Sequence, residues 1–429
     1  MHHFEYKGQK LHAEGVALDK IATKTGTPVF VYSLKTLRRH INAFSEAFSS
    51  APHIICYSVK ANSNIAILKT FAREGSGFDI VSAGELYRVV KAGGDSKKVV
   101  FSGVGKKVDE IEFAIKKNIL MFNAESPEEL AAINAVAKRL KKKVAVAIRI
   151  NPDVNPKTHP YISTGLKKNK FGIETEEAIK QYAYAKSNYK NLDMAGVDCH
   201  IGSQITELTP FGDALEKVKD VINRLRKTGT NIRYLDMGGG LGITYKDEAA
   251  PHPSNYGTEI LKRTAGLGVT LIFEPGRNIV GNAGVLVTRV VYTKQGSLKK
   301  FVISDAAMND LPRPSLYGSY HAIKPVDLRK SAPDEVVDVV GPICESGDFF
   351  AHDREISKVT SGELLALMSA GAYCFSMSSN YNSRPRAAEV IVDGKDFHVI
   401  RKRETLEDIV RNEVIPAKLF KGAKARKGK

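Results

Sequence analysis

Eight short β-rich runs alternate with helical stretches between residues 54 and 274, and no other feature of the chain constrains its fold as strongly. The runs cover residues 54–59, 78–82, 99–103, 120–124, 144–150, 195–200, 233–237 and 270–274. Strands separated by helices pair in parallel, and eight is the number that closes a TIM barrel. The sequence therefore predicts an α/β fold, a (β/α)8 TIM barrel, over residues 35–278.

The residue pattern of the sequence changes after Gly281. Valine-rich runs such as AGVLVTRVVYT and DEVVDVVG are bounded by Gly, Pro, Asn and Asp, which is typical of a mostly antiparallel β domain. The segment FEYKGQKLHAEG near the start is also strand-like, and we expect it to join that sheet. Since 429 residues exceed one ordinary domain, we predict a β domain from residues 1–34 and 279–415, and a basic, disordered tail over 416–429.

The chain carries a net charge of +17, and six of its basic residues lie between Ile415 and Lys429. Nucleic-acid binding is one interpretation of such a charge. We favour a solvated helix face and a frayed tail, because the charges lack interleaved aromatic residues. The predicted partners therefore exclude nucleic acid.

Composition also bears on location. Residues 1–20 contain no apolar core of a secretory signal, and no run of eighteen apolar residues exists to span a membrane. The four cysteines lie far apart without the spacing of a disulfide framework or a zinc site. We therefore expect a cytoplasmic protein with no membrane partner and no metal.

Reactive side chains follow the predicted strands at the end where TIM barrels carry their catalytic groups. Lys60 follows the first run, and a lysine there is either a surface cap or an amine able to form a Schiff base. Alone, the surface cap is the simpler interpretation. The other residues at this rim are Asp79, Arg149, His200, Ser203, Gly238, Gly239, Gly240, Glu274, Gly276 and Arg277.

Glycine-rich turns follow the seventh and eighth runs, and bare backbone amides in such turns suit a phosphate. The GGGLG run is not a dinucleotide fingerprint, because Ile243 replaces the third spaced glycine. A tight turn requiring positive φ explains that run equally well. A lysine, a flat imidazole, a phosphate turn and a carboxylate on one rim match the needs of pyridoxal phosphate (PLP). The residues alone indicate only a phosphate-bearing cofactor or substrate at the mouth of a barrel.

Seven motifs carry a resemblance to a known family. YSVKAN, GFDIVSAGEL, HIGSQ, GGGLG, EPGR, GPICESGD and GAYCFSMSSNYNSRPR resemble, in collinear order from about Phe30 to Glu389, the diaminopimelate decarboxylases. These are PLP enzymes of the alanine-racemase-like class (fold-type III), built from a barrel and a β domain. The resemblance implies decarboxylation of meso-2,6-diaminopimelate to L-lysine and carbon dioxide, the last step of lysine biosynthesis.

The resemblance also implies how the cofactor is held. Lys60 forms the Schiff base, His200 stacks on the ring, and Asp79 supports them. Glu274 pairs with the pyridine nitrogen and keeps it protonated, whereas alanine racemases of this fold place an arginine there. The phosphate is held by Ser203, Gly238, Gly239, Gly240, Gly276 and Arg277.

For the substrate, the resemblance implies that Arg277, Arg313 and Tyr317 hold the distal carboxylate. Cys344 protonates the carbanion, and Glu345 binds the distal ammonium group. Tyr373, with Tyr381 as a further candidate, completes the pocket near the cofactor. Since the loop with Cys344 reaches the neighbouring subunit in this family, a homodimer with shared active sites is expected.

Two departures and two alternatives accompany this interpretation. Pro312 stands where an aliphatic residue is usual and puts the reach of Arg313 in doubt, and Cys374 occupies a position that is often glycine.

A decarboxylase of ornithine, arginine or carboxynorspermidine would leave Arg313 without a role. An inactive binding protein should lack Lys60 or Cys344, and both are present.

Overall fold

The computed structural model describes residues 2–154, 169–328 and 333–420. Its first strands are β1 (Phe4–Lys7), β2 (Lys10–Ala13) and β3 (Val16–Ala17), followed by helix α1 (Leu18–Thr25) and strand β4 (Val29–Ser33). The strands β1 to β3 form a small antiparallel sheet of their own. The expected joining to the larger sheet is limited to one isolated antiparallel bridge, between Lys10 and Asp327, just after the strand Ile323–Pro325 of that sheet. Gly8 turns β1 back onto β2, and the apolar face of this small sheet packs against β4, which enters the larger sheet instead.

The central part of the chain is a closed barrel of parallel strands. Strands β5 to β8 follow one another, β8 pairs with β9, and β9 continues through β11 and β12 to β13, which pairs with β5. The short β10 extends β9 from outside this ring. The strands are β5 (His53–Ser58), β6 (Gly77–Ile80), β7 (Val99–Phe101), β8 (Met121–Ala124), β9 (Val144–Asn151), β10 (Ile173–Glu174), β11 (Leu192–Asp198), β12 (Tyr234–Asp236) and β13 (Thr270–Phe273). The predicted fold class is confirmed.

Helices alternate with these strands and bury an apolar stripe against them. Several begin at a polar cap: the side chains of Ser33, Asn64, Ser82 and Ser126 accept hydrogen bonds from amides in the first turn. The helices are α2 (Leu34–Glu46), α3 (Ile65–Arg73), α4 (Ala83–Ala92), α5 (Val108–Lys116), α6 (Pro127–Arg139), α7 (Thr175–Asn188), α8 (Thr209–Lys227), α9 (Pro253–Thr264) and the short α10 (Arg277–Val280).

The second domain is a mixed sheet built around β4. The order is β18-β17-β15-β14-β4-β20-β21, with β19 pairing to β14 and β16. Most pairs are antiparallel, whereas β15 with β17 and β4 with β20 are parallel. The strands are β14 (Gly284–Gln295), β15 (Lys300–Ser304), β16 (Ile323–Pro325), β17 (Asp334–Val340), β18 (Phe349–Ser357), β19 (Leu364–Leu367), β20 (Ala388–Asp393) and β21 (Asp396–Arg401).

Three short helices complete this part: α11 (Arg313–Tyr317), α12 (Leu406–Val410) and α13 (Ala417–Phe420). Within the predicted tail, α13 is helical and residues 421–429 lie outside the described residues. The exact limits of the two domains and the disorder of the tail stay predictions. None of the helices in the described parts of the chain is long and apolar enough to cross a membrane.

The two domains meet at the loop that carries Lys60. The Tyr373 amide donates to the Ala61 carbonyl at 2.8 Å, and the Asn62 side chain donates to the Gly371 carbonyl at 3.2 Å. A segment of the β domain is thereby fixed over the mouth of the barrel.

Candidate active site

Lys60 lies in a single turn directly after β5. Its Nζ is 2.7 Å from Asp79 Oδ2, at the end of the neighbouring β6, and Ser58 Oγ donates to the same oxygen at 2.7 Å. Burial lowers the pKa of Lys60, but the carboxylates of Asp79 and Glu274 outweigh it and raise that pKa above its usual range. The side chain is 38% exposed and lines the cavity at the barrel mouth. Lys60 is therefore an ammonium group beside a carboxylate that can accept its proton.

His200 follows β11 and presents a neutral ring. Its Nδ1 accepts a hydrogen bond from the Gly239 amide at 3.0 Å, which assigns the ring hydrogen of the neutral form to Nε2. Burial lowers the pKa of His200 well below its usual value, and the cations of Arg149 and Lys60 lower it further. The imidazole is therefore uncharged at neutral pH and can present a flat face.

The glycine turn after β12 needs its glycines for two reasons. Gly238 and Gly240 have φ of 61° and 118°, values that other residues rarely adopt. A Cβ at Gly239 would lie 2.2 Å from the Glu274 carbonyl oxygen, and one at Gly238 would lie 2.6 Å from His200 Nδ1. The tight-turn interpretation of GGGLG is therefore confirmed, because the turn requires positive φ. The turn also leaves Gly239 and Gly240 bare at the cavity, and their role in binding a phosphate stays a prediction.

Glu274 follows β13 and is 5% exposed. Burial raises the pKa of Glu274 well above its usual value, and the carboxylates of Asp236 and Asp79 raise it further. The hydroxyl of Ser102 donates to Oε1 at 2.9 Å. Glu274 is thus a buried carboxyl group that a hydrogen bond holds at the cavity wall.

Arg277 begins α10 and is 6% exposed. It donates to Tyr245 Oη at 2.7 Å and to Ser203 Oγ at 3.1 Å, and its guanidinium lies 4.9 Å from the centre of the Tyr373 ring. Gly276, just before it, would meet Ser58, Ala61 and Tyr373 if it carried a Cβ. The second glycine turn thus also brings bare backbone to the cavity.

A second arginine stands beside the first. Arg313 at the start of α11 donates to His321 Nε2 at 2.9 Å and lies 4.6 Å from the centre of the Tyr245 ring. Arg277, Arg313, Tyr245 and Tyr317 together line a side cavity of about 380 Å³. Pro312 precedes α11 with φ of −78° and ψ of −8°, close to helical geometry, so it does not move Arg313 away from this cavity.

The cavity at the barrel mouth, which contains Lys60, has a volume of about 170 Å³ and combines the groups that PLP requires. Bare glycine backbone faces it where a phosphate would bind, and an amine, a flat imidazole and a buried carboxylate surround the remaining space. The residues present therefore fit this cofactor. The lining is formed by Ser58, Lys60, His200, Ser203, Gly239, Gly240, Leu241, Glu274, Gly276, Arg277, Tyr317 and Tyr373.

Cys344 and Glu345 are not brought to this cavity within one chain. Both are exposed on the loop between β17 and β18, and neither lines the cavity. The loop is ordered by its own contacts: the Cys344 amide donates to Asn382 Oδ1 at 2.9 Å, and Asp348 accepts from the amide of Ile343 at 2.7 Å. Tyr381, next to Asn382, is 44% exposed.

Sequence reasoning missed several residues around the site. Tyr245 touches both arginines, and its place in the loop after the glycine turn is a clue that the sequence does contain. His321 accepts from Arg313 but lies in a stretch without a motif. Ser102, Asn123 and Asp236 follow or end barrel strands, and they bind one another beneath Glu274.

Comparison with known proteins gives a consistent result. Residues 34–281 match the family model of the pyridoxal-dependent decarboxylase, pyridoxal binding domain. The chain is 52% identical to the diaminopimelate decarboxylase of Pseudomonas aeruginosa, over 96% of this chain and 98% of that protein. It is 51% identical to the same enzyme of Vibrio cholerae, over 95% and 98%.

Solved structures agree with the sequence comparisons. The diaminopimelate decarboxylase of Helicobacter pylori, complexed with L-lysine, superimposes with a TM-score of 0.89 at 43% identity, covering 92% of this chain and 98% of that one. The enzyme of M. jannaschii, also with L-lysine, gives a TM-score of 0.92 at 40% identity, covering 97% and 98%. The chain therefore belongs to the diaminopimelate decarboxylases, a family of PLP-dependent enzymes.

Proposed function

We propose that this chain removes carbon dioxide from meso-2,6-diaminopimelate and releases L-lysine. The observation that carries the substrate assignment is the pair of buried arginines, Arg277 and Arg313, that share Tyr245 beside the cavity of Lys60. Guanidinium groups bind carboxylates in a bidentate grip, so the pair suits a substrate with a carboxylate far from the reacting carbon. Ornithine and arginine have no such carboxylate and would leave Arg313 idle.

Bound PLP supplies a protonated ring that accepts the electron pair left behind when carbon dioxide departs. Lys60 holds the cofactor covalently, and Asp79 Oδ2, at 2.7 Å, is placed to accept and return the proton of Nζ. The neutral imidazole of His200 would pack on the cofactor ring, and its hydrogen bond from Gly239 fixes the plane of that imidazole. Glu274 meets the pyridine nitrogen.

The remaining residues bind and orient. The amides of Gly239, Gly240 and Gly276 and the hydroxyl of Ser203 would hold the phosphate, and Tyr373 lines the cavity beside Arg277. Arg313 and Tyr317 hold the distal carboxylate. Holding that end fixes which of the two carboxylates stands at the ring, since a positioned substrate reacts far faster than a mobile one.

The proton that replaces carbon dioxide comes from Cys344 in this proposal, and Glu345 binds the distal ammonium group. Both lie outside the cavity of their own chain, so we propose a homodimer in which each site receives this loop from the partner. Exposure of a reactive thiol and a carboxylate on an ordered loop supports that assembly. All four cysteines are free thiols, which suits the proposed location in the cytoplasm.

The test is carbon dioxide release from meso-diaminopimelate, ornithine, arginine and lysine, each with PLP added. Release from diaminopimelate alone is the expected result. Release from ornithine or arginine would keep the cofactor and overturn the role of the two arginines. No release from any of the four, with PLP bound, would favour a binding protein without activity.

A further inference from the structure

A chain of hydrogen bonds lies beneath Glu274, inside the barrel and away from the substrate. Ser102 Oγ donates to Glu274 Oε1 at 2.9 Å, and Asn123 Nδ2 donates to Ser102 Oγ at 3.1 Å and to Asp236 Oδ2 at 3.0 Å. Asp236 Oδ1 accepts from the Gly238 amide at 2.9 Å. All of these side chains are less than 6% exposed. One buried network therefore joins the proposed phosphate turn to the carboxylate of Glu274.

With the Asn123 amide nitrogen directed at Ser102 and Asp236, as the structure has it, the direction of each hydrogen bond follows from the groups involved. The amide nitrogen of Asn123 can only donate, so the hydroxyl oxygen of Ser102 accepts from it and directs its own hydrogen to Glu274. Turning the Asn123 amide around would place its oxygen against Asp236 and leave the Ser102 oxygen without this donor. Ser102 thus has one orientation, and Glu274 Oε1 has a fixed donor.

The two oxygens of Glu274 differ as a result. The side-chain hydrogen bonds that described residues make to Glu274 all reach Oε1, from Ser102 at 2.9 Å and from Asn123 at 3.4 Å. The side chain also lines the cavity. Oε2 is therefore the oxygen left for a ligand.

We propose that Ser102 and Asn123 are positioning residues that hold Glu274 Oε1 and keep Glu274 a carboxylate, so that Oε2 meets a protonated pyridine nitrogen. The inference rests on the role of Glu274 in the proposed function. It assigns to Ser102 and Asn123 a share in the electron-accepting power of the cofactor, although neither lines the cavity.

The physical reason lies in the competition for one proton. Glu274 stands in a barrel interior that also contains Asp79, Asp198 and Asp236, and burial among these acids favours a protonated, neutral carboxyl group. A donated hydrogen bond stabilises the carboxylate instead. When the hydroxyl of Ser102 is removed, the proton shared between Glu274 and the ring nitrogen moves toward Glu274, and the ring becomes a weaker electron acceptor.

The experiment uses holoenzyme loaded with PLP labelled with nitrogen-15 in its ring. The ring-nitrogen chemical shift of Ser102→Ala is expected to move toward that of an unprotonated pyridine, and kcat is expected to fall about tenfold with KM unchanged, the effect of one hydrogen bond. Ser102→Thr retains the hydroxyl and should retain the wild-type shift. Asn123→Ala removes the donor to Ser102 and the longer contact to Glu274 Oε1, and should change the shift in the same direction by less.

A buried serine at the other end of the barrel is the matched control. Ser76 donates only to the backbone carbonyls of Ile55 and Gly77, so Ser76→Ala should keep the wild-type shift and kcat. Should Ser102→Ala fail to fold, Asn123→Ala and Ser102→Thr carry the same comparison.

Two outcomes separate this inference from the proposed function. If Glu274→Ala moves the ring-nitrogen shift and both Ser102→Ala and Asn123→Ala leave it at the wild-type value, the positioning role is overturned and the role of Glu274 remains. If Glu274→Ala also leaves the shift unchanged, the proposed contact between Glu274 and the ring is wrong, and the inference falls with it.

Discussion

The mouth of the barrel and the loop between β17 and β18 carry the two halves of the proposed chemistry in opposite environments. Glu274 and Arg277 are buried, and hydrogen bonds from the surrounding barrel fix them. Cys344 and Glu345 are exposed on an ordered loop and do not line the cavity of their own chain. The difference teaches that one chain brings together the residues that fit the cofactor but not the proposed proton donor, and for this reason the proposed function includes a second chain.

The largest effect is expected when Lys60, at the mouth of the barrel, is replaced. Lys60→Ala should lower decarboxylation by at least about a thousandfold, because the cofactor loses its covalent attachment. In the wild type, borohydride reduction should fix PLP to the peptide that contains Lys60. Label on another lysine would contradict the assignment.

Mixing two inactive variants tests the proposed role of the exposed loop between β17 and β18. Cys344→Ala should lower kcat about a hundredfold, as expected for a lost general acid. When Lys60→Ala and Cys344→Ala chains exchange freely, half of the dimers are mixed and each has one intact site, so about a quarter of wild-type activity should return. Absence of recovery with verified subunit exchange would show that sites are not shared.

The next effect concerns the distal carboxylate. Arg313→Lys keeps the charge but loses the planar fork and the hydrogen bond to His321, so KM for diaminopimelate should rise about thirtyfold. Arg289→Lys is the control, since Arg289 lies on β14 and donates to the carbonyl of Gly362, in the turn before β19. Equal KM values for the two variants would remove Arg313 from the binding site.

The smallest effect is a difference in stability with pH. Burial and the adjacent Arg313 together lower the pKa of His321 to about 3, whereas an unfolded histidine titrates near 6.5. Between these values the unfolded chain binds the extra proton, so His321 costs the folded state about 1.4 kcal/mol for each pH unit below 6.5. The stability advantage of wild type over His321→Gln should therefore shrink by that slope, measured by urea unfolding, as the pH falls toward 4. A constant difference would contradict the buried, neutral histidine.

The sequence was informative where local patterns decide the structure. The eight runs predicted the barrel, and the strand ends predicted which residues gather at its mouth, because the carboxyl ends of parallel strands meet at one rim. The fate of FEYKGQKLHAEG could not be predicted, since a hairpin that pairs with itself has the same alternation as one that joins a larger sheet. Strand pattern specifies the faces of a strand but not its partner.

The residues that support the site could not be predicted from the sequence for a different reason. His321 meets Arg313 because the chain returns after α11. Its other nitrogen is held at 2.8 Å by the carbonyl oxygen of Met368, which follows β19 and lies 47 residues away in the sequence. Such contacts have no signature in spacing. Ser102 follows β7 and Asn123 lies on the neighbouring β8, but the partner to which each side chain donates depends on the packed barrel interior.

The parallel pair β4 and β20 has a consequence for synthesis of the chain. Val29 to Ser33 pair with Ala388 to Val392. During synthesis, β4 therefore leaves the ribosome more than 350 residues before its partner β20. Until then, one edge of β4 offers unpaired backbone groups, which other growing chains can capture. The barrel, whose strands all lie between residues 53 and 273, can close on the ribosome before this sheet is complete. Folding of the β domain, rather than of the barrel, should therefore limit how fast the chain reaches its native state.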